Sequence, residues 1–326
     1  MARLPGRILS AIRQLDSSST LTVGLCLVYG GVMAMAAPGF ASWSNFSNVL
    51  LASLPLLIVA SGQTVVLVTG GIDLSVTSTI ALASIVGGMV CAGTPDSLLA
   101  NHPLAFPVAL LAMLITGALI GAFNGLCVAW IGMPPFIVTL TTMMFFSGLA
   151  IWLTDSQPIG MLPRGWLLLG QQEWLSAPVA LATAGLVQFM LHHTLCGLGW
   201  HAIGSNRQTA RVSGVAVMPL TILAYVTSGA CAAVAAVIIT GQLESASPSQ
   251  WRNNLLDVIG AALLGGASLA GGRGSIWGTA VGVIMLVLID NSLNLLNLSQ
   301  FTILIAKGSV ILLAASLDAA RQRPGD

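Results

Sequence analysis

The residues most suggestive of chemistry form a glycine-rich run near the carboxyl end, GGASLAGGRGS (265–275). Such a run suggests a phosphate-binding loop, but the pattern G-x-x-x-x-G-K-[ST] requires a lysine that is missing here. His192 and His193 are adjacent, and no metal-binding HExxH pattern accompanies them. We therefore expect no catalytic residue, no metal site and no nucleotide hydrolysis in this chain. Energy for any transport must come from another protein or from an ion gradient.

A second polar run, GWHAIGSNRQTARVSGV (199–215), separates two long apolar stretches. Ser205 or Asn206 can cap the amino end of a short helix through RQTARVS, because both side chains accept hydrogen bonds from backbone amides. Gly214 suits the position just after the last helical residue. The pattern predicts a rigid helix of about two turns, ~10 Å long.

This helix would place two guanidinium groups on one face. Arg207 and Arg211 are four residues apart, which is the spacing of neighbours on a helix surface. Ala210 would leave a low surface between them. Such a helix is shaped to seat in a groove of a partner protein. The alternative is a solvated loop whose arginines only fix the membrane topology.

Four amide side chains interrupt the apolar stretches: Gln63, Asn124, Asn291 and Asn294. Polar groups within a membrane are costly, which makes them candidates for a solute path. Amides suit hydroxyl-rich solutes because they both donate and accept hydrogen bonds. The competing interpretation is that they bond neighbouring helices to one another.

A few charged residues also lie in or beside apolar stretches. Asp73 follows Gly70-Gly71 at a helix start, where its carboxylate can cap free amide groups. We favour this structural role over contact with a substrate. Lys307 and Asp290 lie well inside late apolar stretches, and they are predicted to form an ion pair.

The composition explains why these groups are so few. Of the 326 residues, 56% are hydrophobic and only 6% are charged, against about 25% charged in soluble domains. The net charge of +1 says nothing about nucleic acid, but no basic patch is large enough to suggest a nucleic-acid partner, and we expect none. The long apolar runs predict an all-α polytopic protein surrounded by membrane lipid, since a β-barrel would show short alternating segments.

About twenty apolar residues are needed to cross a bilayer, and the chain offers about ten such spans. Gly70-Gly71 and Gly265-Gly266 interrupt the pattern and predict broken or tilted helices there. The predicted spans are 20–38, 48–69, 75–92, 104–130, 135–153, 177–195, 218–241, 256–269, 275–296 and 300–318.

The basic residues predict the orientation, because they concentrate in cytoplasmic loops. With ten spans, only Arg164 and Arg252 fall on the outer side. Both termini are then cytoplasmic, as are the segment 1–19 and the loop 196–217 of this single transmembrane domain, 1–326. The residues on the inner side are Arg3, Arg7, Arg13, Arg207, Arg211, Arg273, Arg321 and Arg323.

Two glycine motifs suggest an internal repeat. GGIDLS (70–75) resembles GGASLA (265–270), and each precedes an apolar helix. The relation would pair spans 2–5 with spans 7–10 in opposite topology, as in many transporters. The residues assigned to this structural motif are Gly70, Gly71, Asp73, Ser75, Gly265, Gly266, Gly271 and Gly272.

Four motifs in order resemble the permease subunit of bacterial ABC sugar importers of the ribose/galactose/xylose type. They are GGIDLSVTS (70–78), NGL (124–126) with PPFIVTL (134–140), the polar run 199–215, and LLGGASLAGGRGSIWGT (263–279). Thr77 departs from the glycine more common in that family. The resemblance implies that one set of residues couples to an ATP-binding subunit: Gly204, Ser205, Asn206, Arg207, Ala210, Arg211 and Gly214.

The resemblance also implies the partners. We expect a second permease copy or paralogue, a twin-domain ATPase that binds ATP and Mg²⁺, and a periplasmic sugar-binding protein. The chain would import a monosaccharide or related small polyol across the bacterial inner membrane without binding a cofactor. The alternatives are a secondary, ion-coupled transporter with Asp257, Asp290 or Lys307 as a proton relay, and a passive channel.

Overall fold

A computed structural model describes residues 17–322, and this part of the chain is all-α. No strand forms in it, although an isolated antiparallel bridge joins Ile159 to Ala246. The predicted cytoplasmic segment 1–19 falls almost entirely outside the described residues. The helices are α1 (Ser17–Ala36), α2 (Trp43–Val68), α3 (Val76–Cys91), α4 (Ala105–Leu126), α5 (Pro135–Leu153), α6 (Arg164–Gln171), α7 (Glu173–His193), α8 (Leu195–Ser205), α9 (Arg207–Val212), α10 (Val217–Leu243), α11 (Leu255–Leu264), α12 (Ile276–Leu295) and α13 (Gln300–Gln322).

Both predicted interruptions are confirmed as helix ends. Helix α2 ends at Val68, and Gly70 then has a φ of 77°. Helix α11 ends at Leu264, and Gly266 has a φ of 92°. Glycine adopts this left-handed conformation without the steric cost that other residues incur. The chain therefore turns sharply at both motifs instead of continuing as one long helix.

Six helices are long and apolar enough to cross a membrane: α2, α4 with its π-helical extension to Ile131, α5, α7, α10 and α12. Three shorter apolar stretches lie at Thr22–Ala36, Val76–Cys91 and Gln300–Ser316. Each of the ten predicted spans overlaps one helix, but the number ten is not confirmed by helix length. The chain is a multi-pass, all-helical membrane protein.

Helix α10 is the centre of the bundle, and it packs most extensively on α4 and α2. The contact with α4 is close because Gly117, Gly121 and Gly125 form a stripe with a spacing of four. A Cβ atom on Gly117 would overlap the carbonyl of Gly229, and one on Gly121 would overlap the carbonyl of Tyr225. Such small-residue stripes let membrane helices approach backbone to backbone.

Helices α4, α5 and α7 are apolar but largely uncovered by the rest of the chain. Trp152 and Leu181 on these helices are 74% and 62% exposed. An apolar surface of this extent requires lipid or another protein against it.

The loops between helices gather at two ends. At the junction end, which comprises residues 68–75, 194–216 and 265–275, the Gly272 amide donates to the Val68 carbonyl at 2.9 Å. At the loop end, which comprises residues 93–104, 154–172 and 244–254, the Gly93 amide donates to the Met161 carbonyl at 2.8 Å.

Candidate coupling and solute sites

The polar run at the junction end contains the short helix that the sequence predicts. Helix α9 spans Arg207–Val212, and the Thr209 amide donates to the side-chain oxygen of Asn206 at 2.8 Å. Of the two predicted caps, Asn206 is therefore the one that acts. Gly214 has a φ of 84°, and its amide donates to the Arg211 carbonyl at 3.1 Å. The predicted cap and the predicted terminating glycine are both confirmed.

The two faces of α9 differ in exposure. Arg207 and Arg211 are exposed, and neither guanidinium has an ion-pair partner among residues 17–322. Ala210 is only 4% exposed, because it packs in a small apolar cluster with Ile203 and Val217. The expectation that Ala210 offers a low outer surface between the arginines is therefore wrong. Ala210 attaches the helix to the bundle and leaves the arginines free.

The predicted loop 196–217 is also mostly helical. Helix α8 covers Leu195–Ser205, and the Thr194 side chain caps it by accepting from the Gly197 amide at 3.3 Å. The exposed α9 is therefore attached to a second helix that reaches back into the bundle. Glycine-rich sequence, including Gly197, Gly199 and Gly204, concealed this helix because glycine disfavours helix interiors.

Helix α8 brings Gly204 between the two glycine motifs. A Cβ atom on Gly204 would overlap the Val68 carbonyl and the Gly272 amide. Gly271, with a φ of 91°, lies against both Gly204 and Gly70. We call the contact among residues 68–71, 204–205 and 270–272 the glycine junction. It joins the segment 194–216 to both halves of the predicted repeat.

Side chains support the glycine junction from one side. The ring nitrogen Nδ1 of His201 lies at hydrogen-bond distance, 3.0 Å, from the Gly272 carbonyl, and the Ser205 hydroxyl donates to the His201 carbonyl at 2.8 Å. Gly71 lies beneath the Tyr225 hydroxyl, and Gly265 packs directly on the backbone of α12. Of the motif glycines, Gly70, Gly266, Gly271 and Gly272 have a positive φ, whereas Gly265 packs against backbone and Gly71 against a side chain.

Asp73 is buried beside this junction and caps its neighbour. Its carboxylate accepts from the Ser75 amide at 2.9 Å, from the Ser75 hydroxyl at 2.6 Å and from the Ser228 hydroxyl at 2.8 Å. Gln63 brackets the Asp73 backbone: its amide nitrogen donates to the Asp73 carbonyl at 3.0 Å, and its oxygen accepts from the Asp73 amide at 3.2 Å. The structural role predicted for Asp73 agrees with this geometry.

Asn124 joins the same buried cluster. Its nitrogen donates to the Ser75 hydroxyl at 2.8 Å, while its oxygen Oδ1 is buried and has no hydrogen-bond partner in the described chain. A buried acceptor of this kind calls for a donor such as water. Gln63 and Asn124 therefore converge on one segment, Asp73–Ser75.

The other two amide candidates lie apart from that cluster. Asn291 forms a reciprocal pair with Asn45, with nitrogen–oxygen distances of 2.8 and 3.0 Å. Asn294 is in the same helix, α12, and donates to the carbonyl of Asp290 at 2.8 Å. The structure thus brings together two of the four predicted residues, and it gives Asn291 a bond between helices.

An ion cluster lies towards the loop end. The ammonium of Lys307 lies 3.1 Å from an Asp290 oxygen, which confirms the predicted pair. It also lies 2.8 Å from an Asp257 oxygen. Lys307 and Asp257 are 8% and 7% exposed. Asp257 was predicted only as a member of a possible proton relay, and not as an ion-pair partner of Lys307.

Comparison with known proteins adds to this geometry. The ribose import permease protein RbsC of Bacillus subtilis (strain 168) is 38% identical over 294 residues, which cover 88% of each chain. RbsC of Escherichia coli (strain K12) is 35% identical over 306 residues, 91% of this chain and 92% of that protein. The L-arabinose transport system permease protein AraH of the same strain is 34% identical over 294 residues, 89% and 87% of the two chains.

No significant match was found among solved structures. The family described as the branched-chain amino acid transport system / permease component matches residues 45–315. That range includes both glycine motifs, the segment 194–216 and the ion cluster. The chain belongs to this family of transport permeases.

Proposed function

We propose that this chain is the permease subunit of an ATP-driven importer, and that it carries a monosaccharide or a related small polyol across the bacterial inner membrane. The observation that carries the proposal is its likeness to ribose and L-arabinose permeases over about nine-tenths of its length. The pentoses named for those relatives are the first solutes to test. The chain itself performs no bond chemistry, and ATP and Mg²⁺ belong to a partner ATPase.

The arrangement of the ends supports ten spans with both termini cytoplasmic. Helices α2, α7 and α11 each run towards the junction end, and α3, α10 and α12 each return from it. Exposed arginines at the junction end are Arg207, Arg211 and Arg273, against Arg164 and Arg252 at the loop end. Because basic residues favour the cytoplasmic side, the junction end faces the cytoplasm in this proposal. The short helices α3 and α11 are then spans completed by the adjoining glycine segments.

Coupling follows from the way in which α9 is mounted. Its exposed arginines contact the ATPase, and its buried Ala210 fixes it to the bundle. Movement of α9 passes through Asn206 and α8 to Gly204, which touches both glycine motifs. A single displacement therefore reaches the end of α2 and the loop between α11 and α12 together. This supports the assignment of Gly204, Ser205, Asn206, Arg207, Arg211 and Gly214 to coupling.

The loop end would receive the sugar-binding protein. Three loops join there: the Gly93 amide donates to the Met161 carbonyl at 2.8 Å, Ile159 pairs with Ala246, and the Gln171 amide donates to the Glu244 carboxylate at 2.7 Å. Asp155 and Arg252 are exposed on the same surface. A second permease copy or a paralogue would cover part of the apolar surface of α4, α5 and α7 and complete the importer.

Reconstitution separates this proposal from the ion-coupled alternative, which the ion cluster of Lys307, Asp257 and Asp290 keeps open. The permease is placed in proteoliposomes with and without the ATPase, and uptake of D-ribose and L-arabinose is measured with ATP or with a proton gradient. We expect uptake only with ATP, the ATPase and the binding protein. Uptake driven by the gradient alone would refute the proposal.

The coupling assignment has its own test. Arg207→Glu and Arg211→Glu should each reduce co-purification of the ATPase roughly tenfold. Each replaces a cation by an anion, and an anion repels the acidic groups to which an arginine binds. Arg164→Glu, an equally exposed arginine at the loop end, serves as the matched control and should retain the ATPase. Full ATPase binding by both coupling variants would show that α9 is not the docking element.

A further inference from the structure

A cavity of about 200 Å³ lies at the loop end, where α2, α11, α12 and α13 meet. Water occupies about 30 Å³ per molecule in the liquid, so the cavity has room for roughly six or seven waters or for one molecule the size of a monosaccharide. Its apolar wall includes Leu56 of α2 and Leu286 of α12. The remaining lining is unusually polar for a membrane helix bundle.

Three amide side chains line this cavity: Asn253, Asn254 and Gln300. None of them forms a side-chain hydrogen bond with any residue in the range 17–322. Asn254 is half-buried, while Asn253 and Gln300 are exposed, so the cavity opens to the surface. Each amide can both donate to and accept from a hydroxyl group. Trp251, half-buried at the rim, adds an aromatic face.

The ion cluster lines the same cavity, with Lys307 and Asp257 buried and the Asp290 side chain 41% exposed. Lys307 uses two of its three ammonium hydrogens on Asp257 and Asp290, which leaves one for a ligand. Asp257 accepts through one oxygen only, and its other oxygen has no partner among the described residues. With both carboxylates ionised, the cluster has one excess negative charge. Burying such a cluster is costly, and buried ionisable groups in membrane spans commonly mark solute paths.

We propose that this cavity is a receiving site for one neutral polyhydroxy solute, which it holds at the loop end before translocation. The free amides and the ion cluster bond the hydroxyl groups, and Trp251 packs on the C–H face of the ring. The excess negative charge disfavours sugar acids and sugar phosphates. The inference rests on the proposed function, and it adds the place and the charge of the solute that is accepted.

The first experiment uses the complete importer in proteoliposomes, with D-ribose and L-arabinose as probes. The double variant Asn254→Ala, Gln300→Ala should transport the accepted sugar roughly tenfold more slowly, since it removes two amide partners. ATP hydrolysis stimulated by the binding protein should stay within about twofold of wild type, the range of ordinary surface changes. The control pairs Asn48→Ala with Gln157→Ala, an exposed asparagine and glutamine outside the cavity.

The second experiment detects the solute in the cavity directly. Asn253→Cys is labelled with a membrane-impermeant maleimide in the assembled importer, and Asn48→Cys is the control. D-Ribose should slow labelling at position 253 by about threefold at a concentration of twice its Kd, and it should leave position 48 unaffected. Ribitol, a neutral acyclic polyol, should also protect, whereas D-ribonate, which differs from ribitol by a carboxylate in place of one hydroxymethyl group, should not.

The outcomes separate the two proposals. If the wild-type importer does not transport with ATP, the proposed function fails and the receiving site fails with it. If wild type transports and the amide variant transports equally well, only the receiving site is wrong. Slow transport without protection of position 253 also overturns it, because the amides would then support the fold without touching the solute. Protection by D-ribonate would overturn the charge preference.

Discussion

The two ends of the molecule differ in how far their contacts depend on side chains. At the junction end the essential contacts are between backbones: the Gly272 amide bonds the Val68 carbonyl, and Gly204 lies against both. At the loop end, backbone contacts such as the pairing of Ile159 with Ala246 are joined by bonds between side chains, such as Gln171 with Glu244 and Lys307 with its two carboxylates.

This difference has a mechanical meaning. Backbone contacts have no rotamers to absorb a displacement, so in the proposed function a movement of α9 is passed on directly. Side-chain contacts can rearrange, because each partner can turn about its own bonds. The junction end is therefore suited to receive force, and the loop end is suited to adapt to a solute.

The largest effect should come from the ion cluster. Lys307→Met leaves the Asp257 carboxylate buried without its cation, and we expect a loss of about 3–5 kcal/mol in the free energy of unfolding. The measurement is the unfolding transition in detergent. Arg164→Met, at an exposed position, should change it little. A harmless Lys307→Met would show that side-chain charges do not hold the loop end together.

The glycine junction should give the next largest effect. Gly204→Ala forces a methyl group into the Val68 carbonyl, and overpacking of this kind costs about 1–3 kcal/mol. ATP-driven uptake should fall more than stability does, because the contact lies on the coupling route. Gly185→Ala is the control, since a Cβ atom there meets nothing within 4 Å. Normal uptake by Gly204→Ala would argue against backbone coupling.

The smallest effect should come from the cap of the coupling helix. Asn206→Ala removes the acceptor for the Thr209 amide, which should destabilise α9 by about 1 kcal/mol. Hydrogen exchange of the amides in 207–213 reports this fraying locally. Asn206→Asp retains an acceptor and should keep the protection. Equal exchange in all three proteins would mean that packing of Ala210 alone holds the helix.

Local signals made several features predictable. The range 135–153 was predicted from its apolar run and coincides with α5, which begins at Pro135. Residue type predicted a cap at Ser205 or Asn206, of which the structure selects Asn206, and it predicted the helix ends before Gly70 and Gly266. Each of these features depends on the conformational preferences of a few neighbouring residues, which can be read from the sequence.

Contacts between distant segments were not predictable in the same way. The sequence identifies Gly204 as small, but only the packing of α8 shows that it touches Val68 and Gly272. The inward face of Ala210 depends likewise on the position of Val217. The spacing of Gly117, Gly121 and Gly125 in the sequence indicates a close helix contact, but it does not identify α10 as the partner helix.

Helix α10 has 27 residues and is therefore about 40 Å long. In the proposed function, one end of this helix lies where the ATPase docks, and the other end lies where the solute is received. The segment 250–257 and the first turn of α13 can be taken from a relative that carries another solute. This exchange leaves every glycine of the glycine junction in place. We expect such chimeras to take up the solute of that relative while the original ATPase still drives transport.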